Sequence, residues 1–266
     1  NSLAFQPGET RLLSASQDQT VKLWDIGARN AAQLRFVAAA EVRDVQFCRG
    51  SPSRFVAALE SGSVQLFDLR SSRGCVAQWH AHYGPVYALD HHPHHRGLLA
   101  TGGRDRNIKV WDLDGRGGGS LGAVAEPLQS NVQLCSSIQT VAPVARLRWR
   151  PTGGGGCGAT AAAAAAARGP ASSYQIASSG AALHRCKVHV WDALHPALPV
   201  YATARDHADA VVGFEFLPPV GGSGADGPRI VAASRDGALA LHQLSGQPQP
   251  YLNVSPVCIS WGRGGR

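Results

Sequence analysis

Thr101–Asp112 reads TGGRDRNIKVWD: an apolar strand end, a tight polar turn around Asp105, and a second strand in which Ile108 and Val110 alternate with polar residues. Ser14–Asp25 (SASQDQTVKLWD), Leu59–Asp68 (LESGSVQLFD) and Arg185–Asp192 (RCKVHVWD) follow the same plan. Ala232–Gln243 (AASRDGALALHQ) is a degenerate fifth copy. A second motif precedes each hairpin, an alternating strand that usually ends in Pro. It runs through Leu3 and Phe5, Val45 and Phe47, Leu89 and His91, Leu147 and Trp149, and Phe214 and Phe216, and it begins again at Ile259 and Trp261. The second anchors stand at 5, 47, 91, 149, 216 and 261, so the steps are 42, 44, 58, 67 and 45 residues. The base period matches the ~40–45 residues of a four-stranded propeller blade.

The two long steps hold insertions. One spans about 114–130 and is Gly-rich; the other spans about 151–173 and carries four consecutive Gly and seven consecutive Ala, Ala161–Ala167. An isolated Ala run of that length is marginal as a helix, so both are expected to be exposed loops. The expected fold is therefore all-β. About five blades of four-stranded antiparallel sheet, plus the first strand of another, form a single propeller domain over 1–266. Met is absent, position 1 included, so the chain reads as a piece of a longer protein whose ring is incomplete. An open ring leaves sheet edges that closure would remove.

Composition narrows the function. Of 266 residues, 44% are hydrophobic and 16% charged, which is globular and not disordered. No apolar run reaches the ~18 residues of a membrane span, and the N-terminus does not resemble a signal peptide. The net charge of +7 allows an acidic partner, but the 25 Lys and Arg are scattered. Six Cys, none in a C-x-x-C pair, read as reduced thiols.

Several groupings imitate chemistry. Gly153, Gly155 and Gly158 spell G-x-G-x-x-G, yet no acid follows at the ribose-binding distance and the motif sits in an insertion. His91, His92, His94 and His95 crowd around Pro93. Because His91 and Pro93 fill repeat positions, a strand-to-turn junction is expected there and not a metal site. On the inner strands, Asp90, Arg148 and Glu215 fall on one face in three successive copies. Arg148 is expected to be bracketed by the two carboxylates in a structural charge relay.

The repeats resemble WD-repeat blades. That resemblance implies a buried polar chain in the copy holding His82, Thr101, Asp105 and Trp111: Trp bonds the hydroxyl, the hydroxyl meets His, and His meets the turn Asp. A hydrolase triad uses similar residue types. Here, however, Ser14, Asp18 and Trp24 repeat the set, and Phe67, Trp191 and Asp236 hold matching positions, so the role is structural.

Glu41–Phe47 (EVRDVQF), Gly62–Arg70 (GSVQLFDLR), Ala81–Val86 (AHYGPV), Arg96–Asp112 and Gln139–Pro151 (QTVAPVARLRWRP) together resemble one propeller family. It is the WD-repeat subunit of the GATOR/SEA complex, the WD-repeat protein twenty-four family. The resemblance implies a non-enzymatic interaction scaffold that acts positively on TOR kinase in amino-acid signalling. It also implies a cytoplasmic location at the cytosolic face of the lysosome or vacuole. The implied partners are other GATOR/SEA-like subunits, with no nucleic acid, membrane insertion, small-molecule substrate, cofactor or metal. The family's RING-type zinc region has no counterpart in this sequence, so ubiquitin-ligase chemistry is not expected here. The competing expectation is an independent propeller that reads acidic partners, with histone tails or RNA as the classes considered.

Overall fold

Alternating apolar residues bounded by Gly, Asp and Ser turns fold as short antiparallel strands. The computed structural model describes residues 1–27, 34–49, 51–71, 74–114, 132–151, 174–180, 187–203, 207–217 and 229–244. Blade 1 is β1 (Ser2–Phe5), β2 (Arg11–Ala15), β3 (Thr20–Asp25) and β4 (Leu34–Val37). Blade 2 is β5 (Val42–Phe47), β6 (Arg54–Leu59), β7 (Ser63–Asp68) and β8 (Cys75–His80). Blade 3 is β9 (Val86–His91), β10 (Leu98–Gly103), β11 (Asn107–Asp112) and β12 (Gln133–Gln139). Blade 4 is β13 (Val144–Trp149), β14 (Gln175–Gly180), β15 (Val188–Asp192) and β16 (His195–Ala202). Blade 5 is β17 (Val211–Leu217), β18 (Arg229–Ser234) and β19 (Leu239–Gln243).

Each sheet pairs its strands in chain order, and the innermost strands β1, β5, β9, β13 and β17 stand next to one another. The propeller expectation is borne out with one refinement: the fifth blade has three strands among the described residues. The Ile259–Trp261 copy, the G-x-G-x-x-G stretch and both insertions beyond Asp114 and Pro151 lie outside the described residues.

The inner-strand anchors pack into the spaces between sheets. Val45 and Phe47 join Leu13, Leu23, Phe36, Phe55 and Phe67 between blades 1 and 2. Phe55 stacks on Phe67 at 4.9 Å between centroids, with Phe36 edge-on to Phe55 at 5.1 Å. Each such fully buried side chain contributes about 1.5–3 kcal/mol. Comparable clusters fill the other three blade junctions. A sheet covered on both faces loses its polar alternation, so every residue of β7 and of β10 is buried. A polar residue there needs partners, and Gln65 donates to Gln78 Oε1 at 2.8 Å and accepts the Ala39 N–H at 3.1 Å.

The two end sheets differ. Leu3 and Phe5 are each 65% exposed, and Leu239 and Leu241 are 77% and 62% exposed. Their counterparts in the inner blades are core residues. Both end faces thus carry interior side chains with no neighbouring sheet among the described residues.

His91 occupies the anchor slot that Phe47, Trp149 and Phe216 fill elsewhere. Its backbone N–H donates to Gln46 Oε1 at 3.1 Å, but neither ring nitrogen has a hydrogen-bond partner among the described residues. Burial, with the Arg49 charge, lowers its imidazole to about 4. The unfolded ring protonates near its ordinary 6.5 and the folded ring resists until about 4. Stability is therefore complete above that window and falls as pH drops through it. His91→Phe supplies the slot's usual shape without orphaned nitrogens. It is expected to raise unfolding free energy by about 1–3 kcal/mol at pH 7 and to flatten its decline below pH 6.5. Urea titrations across pH check this; an unchanged midpoint would contradict it.

Candidate functional site

The loop from β8 to β9 brings His82 under the β10–β11 turn. His82 Nδ1 lies 2.9 Å from Asp105 Oδ1, and Nε2 lies 2.7 Å from Thr101 Oγ1. Trp111 Nε1 donates to the same Thr101 oxygen at 3.0 Å. Burial lowers the His82 imidazole below its ordinary value, and Asp105 offsets this only in part. The neutral ring then has one consistent arrangement. Nδ1–H donates to Asp105, Nε2 accepts the Thr101 hydroxyl, and Thr101 accepts the indole N–H. Desolvation works to raise the Asp105 carboxyl, but the bonds from His82 and from the N–H groups of Tyr83 and Asn107 hold it down to about 2. His82 and Thr101 are fully buried, and a hydroxyl so enclosed offers no nucleophile to a substrate. Two glycines make the slot. A Cβ on Gly103 would stand 2.6 Å from the His82 ring, and one on Gly62 would stand 2.2 Å from the His82 carbonyl.

Other blades solve the same positions differently. Trp24 donates to Ser14 Oγ at 2.9 Å, and Asp18 caps its own turn through the Thr20 N–H at 3.0 Å. In blade 4, Trp191 donates to Ser178 Oγ at 2.9 Å. Blade 2 replaces indole and hydroxyl with Phe67 and the buried Ala57, so these two positions carry no polar side-chain atom to pair. In blade 5, Asp236 caps its turn through the Ala238 N–H at 2.8 Å. There His207 and His242 meet directly, Nε2 to Nε2 at 3.0 Å. This pair was missed from sequence. The readable signal is register: His242 follows Asp236 by six residues, as Trp111 follows Asp105.

The expected bracketing of Arg148 forms on one side only, with Glu215 and not with Asp90. Asp90 does not bridge to Arg148; its oxygens take Gln46 Nε2 at 3.1 Å and the Trp149 N–H at 2.7 Å. The reason is the free edge of each innermost strand, whose N–H groups need acceptors. Gln46 serves His91 in the same way, and Asp44 accepts the Leu89 N–H at 2.8 Å. Arginine has no acceptor, so Arg148 leaves this pattern and meets Glu215 at 3.5 Å, with the side chains 38% and 62% exposed. Such a pair contributes under about 1 kcal/mol. Burial pushes Asp90 up to about 6, with the Arg148 charge opposing. A half-open pocket of 620 Å³ lies beside Ser2, Asp44, Arg146 and Arg148 of the inner strands.

The histidine cluster fastens a turn. His92 Nδ1 accepts the N–H groups of His94 and His95 at 3.1 and 2.9 Å, and His95 Nε2 meets the Tyr174 hydroxyl at 3.0 Å. Among the described residues, no three His, Cys, Asp or Glu side chains converge as metal ligands. Cys48 and Cys135 are buried free thiols, and desolvation raises Cys48 to about 12.

Thr101→Val is expected to orphan the Trp111 indole and the His82 Nε2, lowering unfolding free energy by about 1–3 kcal/mol in urea titration. Asp90→Ala is expected to cost a similar amount. Asp90→Asn keeps an acceptor for the Trp149 N–H and removes a charge that burial disfavours, but it turns an amide donor toward Gln46 Nε2, so it should cost less than Asp90→Ala at pH 7. Equal losses for the two Asp90 variants would contradict the acceptor role.

The family described as WD domain, G-beta repeat matches residues 1–25 and 73–112. GATOR2 complex protein WDR24 of Homo sapiens is 30% identical over 263 residues, covering 98% of this chain and 28% of that protein. GATOR2 complex protein Wdr24 of Drosophila melanogaster is 33% identical over 266 residues, covering 100% of this chain and 29% of that protein. Restriction of telomere capping protein 1 of Candida dubliniensis is 34% identical over 163 residues, 56% of this chain and 14% of that protein. The chain thus spans under a third of the length of these relatives. With five meandering sheets whose inner strands adjoin, and a match that runs from one end of the chain to the other, this chain is a WD-repeat propeller similar along its whole length to the WDR24 proteins.

Proposed function

We propose that this chain is the propeller part of a non-enzymatic interaction scaffold in a GATOR2-type complex that acts positively on TOR kinase signalling. The observation that carries the reading is the reach of the similarity. Relatives named for the GATOR2 complex align with 98–100% of the chain, degenerate blades included. The buried polar groups support it too. His82, Thr101 and Asp105 spend their hydrogen bonds on one another and on the backbone, as a rigid platform requires. The partners are other protein subunits, and through them the protein sits at the cytosolic face of the lysosome or vacuole. No helix among the described residues is long and apolar enough to cross a membrane. Of the competing partners, basic histone tails would be repelled by the charge of +7.

Affinity purification of the full-length protein from its own cells tests this. The expected result is stoichiometric recovery of the other complex subunits, stable to moderate salt. Recovery of nucleic acid that washes off with salt, and of no subunit, would contradict it.

A further inference from the structure

The β10–β11 turn of blade 3, Arg104–Asp105–Arg106, stands between two exposed apolar side chains. Tyr83 and Val141 are each 83% exposed, the largest exposures among the large hydrophobic residues described. The backbone at or beside each is hydrogen-bonded to the turn. The Tyr83 N–H donates to Asp105 Oδ2 at 3.2 Å, and its ring lies edge-on to His80 at 5.8 Å. Val141 follows Thr140, whose N–H donates to the Arg106 carbonyl at 2.7 Å and whose hydroxyl lies 2.7 Å from the Ala142 carbonyl and 3.0 Å from that of Arg106. Arg106 itself is fixed at φ +62.

The charges are arranged to face outward. Asp105 is turned in, its oxygens taken by His82 Nδ1 and by the N–H groups of Tyr83 and Asn107. Arg104 and Arg106 are exposed, and neither reaches a carboxylate at ion-pair distance among the described residues. The neighbouring cations are engaged elsewhere. Lys109 Nζ bonds the Ala81 carbonyl at 2.7 Å, and Arg43 pairs with Glu41 and Glu60. Arg104 runs beside Gly84, its Cβ and Cδ 3.7 and 3.9 Å from where a Cβ on that residue would lie. Its stem is thereby supported next to Tyr83.

Tyr and Arg dominate protein–protein hot spots, and a rigid aromatic loses little entropy on contact. We propose that Tyr83, Arg104, Arg106 and Val141 form a docking site for an acidic protein segment that also carries a bulky apolar side chain. This rests on the scaffold reading and names the partner chemistry of one surface. The apolar side chain packs against Tyr83 or Val141, and two carboxylates take the two guanidinium groups. A membrane surface fits less well, because one Tyr and one Val offer little area to insert.

The test uses the full-length protein in cells, with photoreactive benzoylphenylalanine in place of Val141 and crosslinked peptides read by mass spectrometry. The expected products are Asp- and Glu-rich peptides containing Leu, Ile, Phe or Met. Their yield should fall about tenfold in R104E/R106E and in Tyr83→Ala. R104Q/R106Q should repeat the loss if charge reversal disturbs the turn. Crosslinks confined to neutral or basic peptides or to lipid, no crosslink, or a yield indifferent to the arginines would each overturn the proposal. Subunit co-purification is followed in the same samples. Loss of the crosslink by the arginine variants with subunits retained upholds the site. Absence of subunits from wild type, with the crosslink intact, sinks the scaffold reading alone.

Discussion

A buried imidazole kept neutral between a carboxylate and a hydroxyl joins blade 2 to blade 3. His82 sits on the connection between the two sheets, so its three-way attachment to Asp105, Thr101 and, through Thr101, Trp111 fixes how one sheet leads into the next. The chain of donors runs one way only, from indole to hydroxyl to imidazole to carboxylate. A charged His82 would leave Thr101 without an acceptor at that end, and burial already disfavours the charge. Gly103 leaves room for this ring and Gly62 for the His82 carbonyl, and the Tyr83 backbone N–H is held by the same Asp105.

The five blades show how tolerant the slot is when both members of a pair change together. Trp with Ser or Thr satisfies it in blades 1, 3 and 4, and Phe67 over Ala57 satisfies it in blade 2. Blade 5 keeps the His but has Ala232 for the hydroxyl and His242 for the indole, and the two rings bond directly. What is costly is a half-changed pair, because an orphaned buried group carries the full desolvation penalty. His91 is such a case at a different position: an aromatic slot filled by a ring with two polar atoms and, among the described residues, no partner for either.

The repeat, its period and its anchors are legible in the sequence because strand alternation and turn residues are local signals. The His82 set is legible because each residue type has a distinctive hydrogen-bonding role. The inner-strand contacts are not, because Asp44, Gln46 and Asp90 bond backbone N–H groups of a neighbouring blade, and backbone carries no sequence signal. Alternating charge suggested that Asp90 would seek Arg148, but an unpaired strand edge made the stronger demand. The exposure of Leu3, Phe5, Leu239 and Leu241 is likewise invisible to periodicity, since these residues read as core at every local level.

The protonation state of His82 tests the central claim most directly. In protein labelled with ¹⁵N at histidine, long-range proton–nitrogen correlation spectra at pH 6 distinguish the two neutral tautomers and the imidazolium. The account requires a neutral ring with the proton on Nδ1 and a hydrogen-bonded, unprotonated Nε2, persisting below the pH at which exposed histidines charge. An imidazolium at pH 6, or a proton on Nε2 with Nδ1 bare, would contradict it.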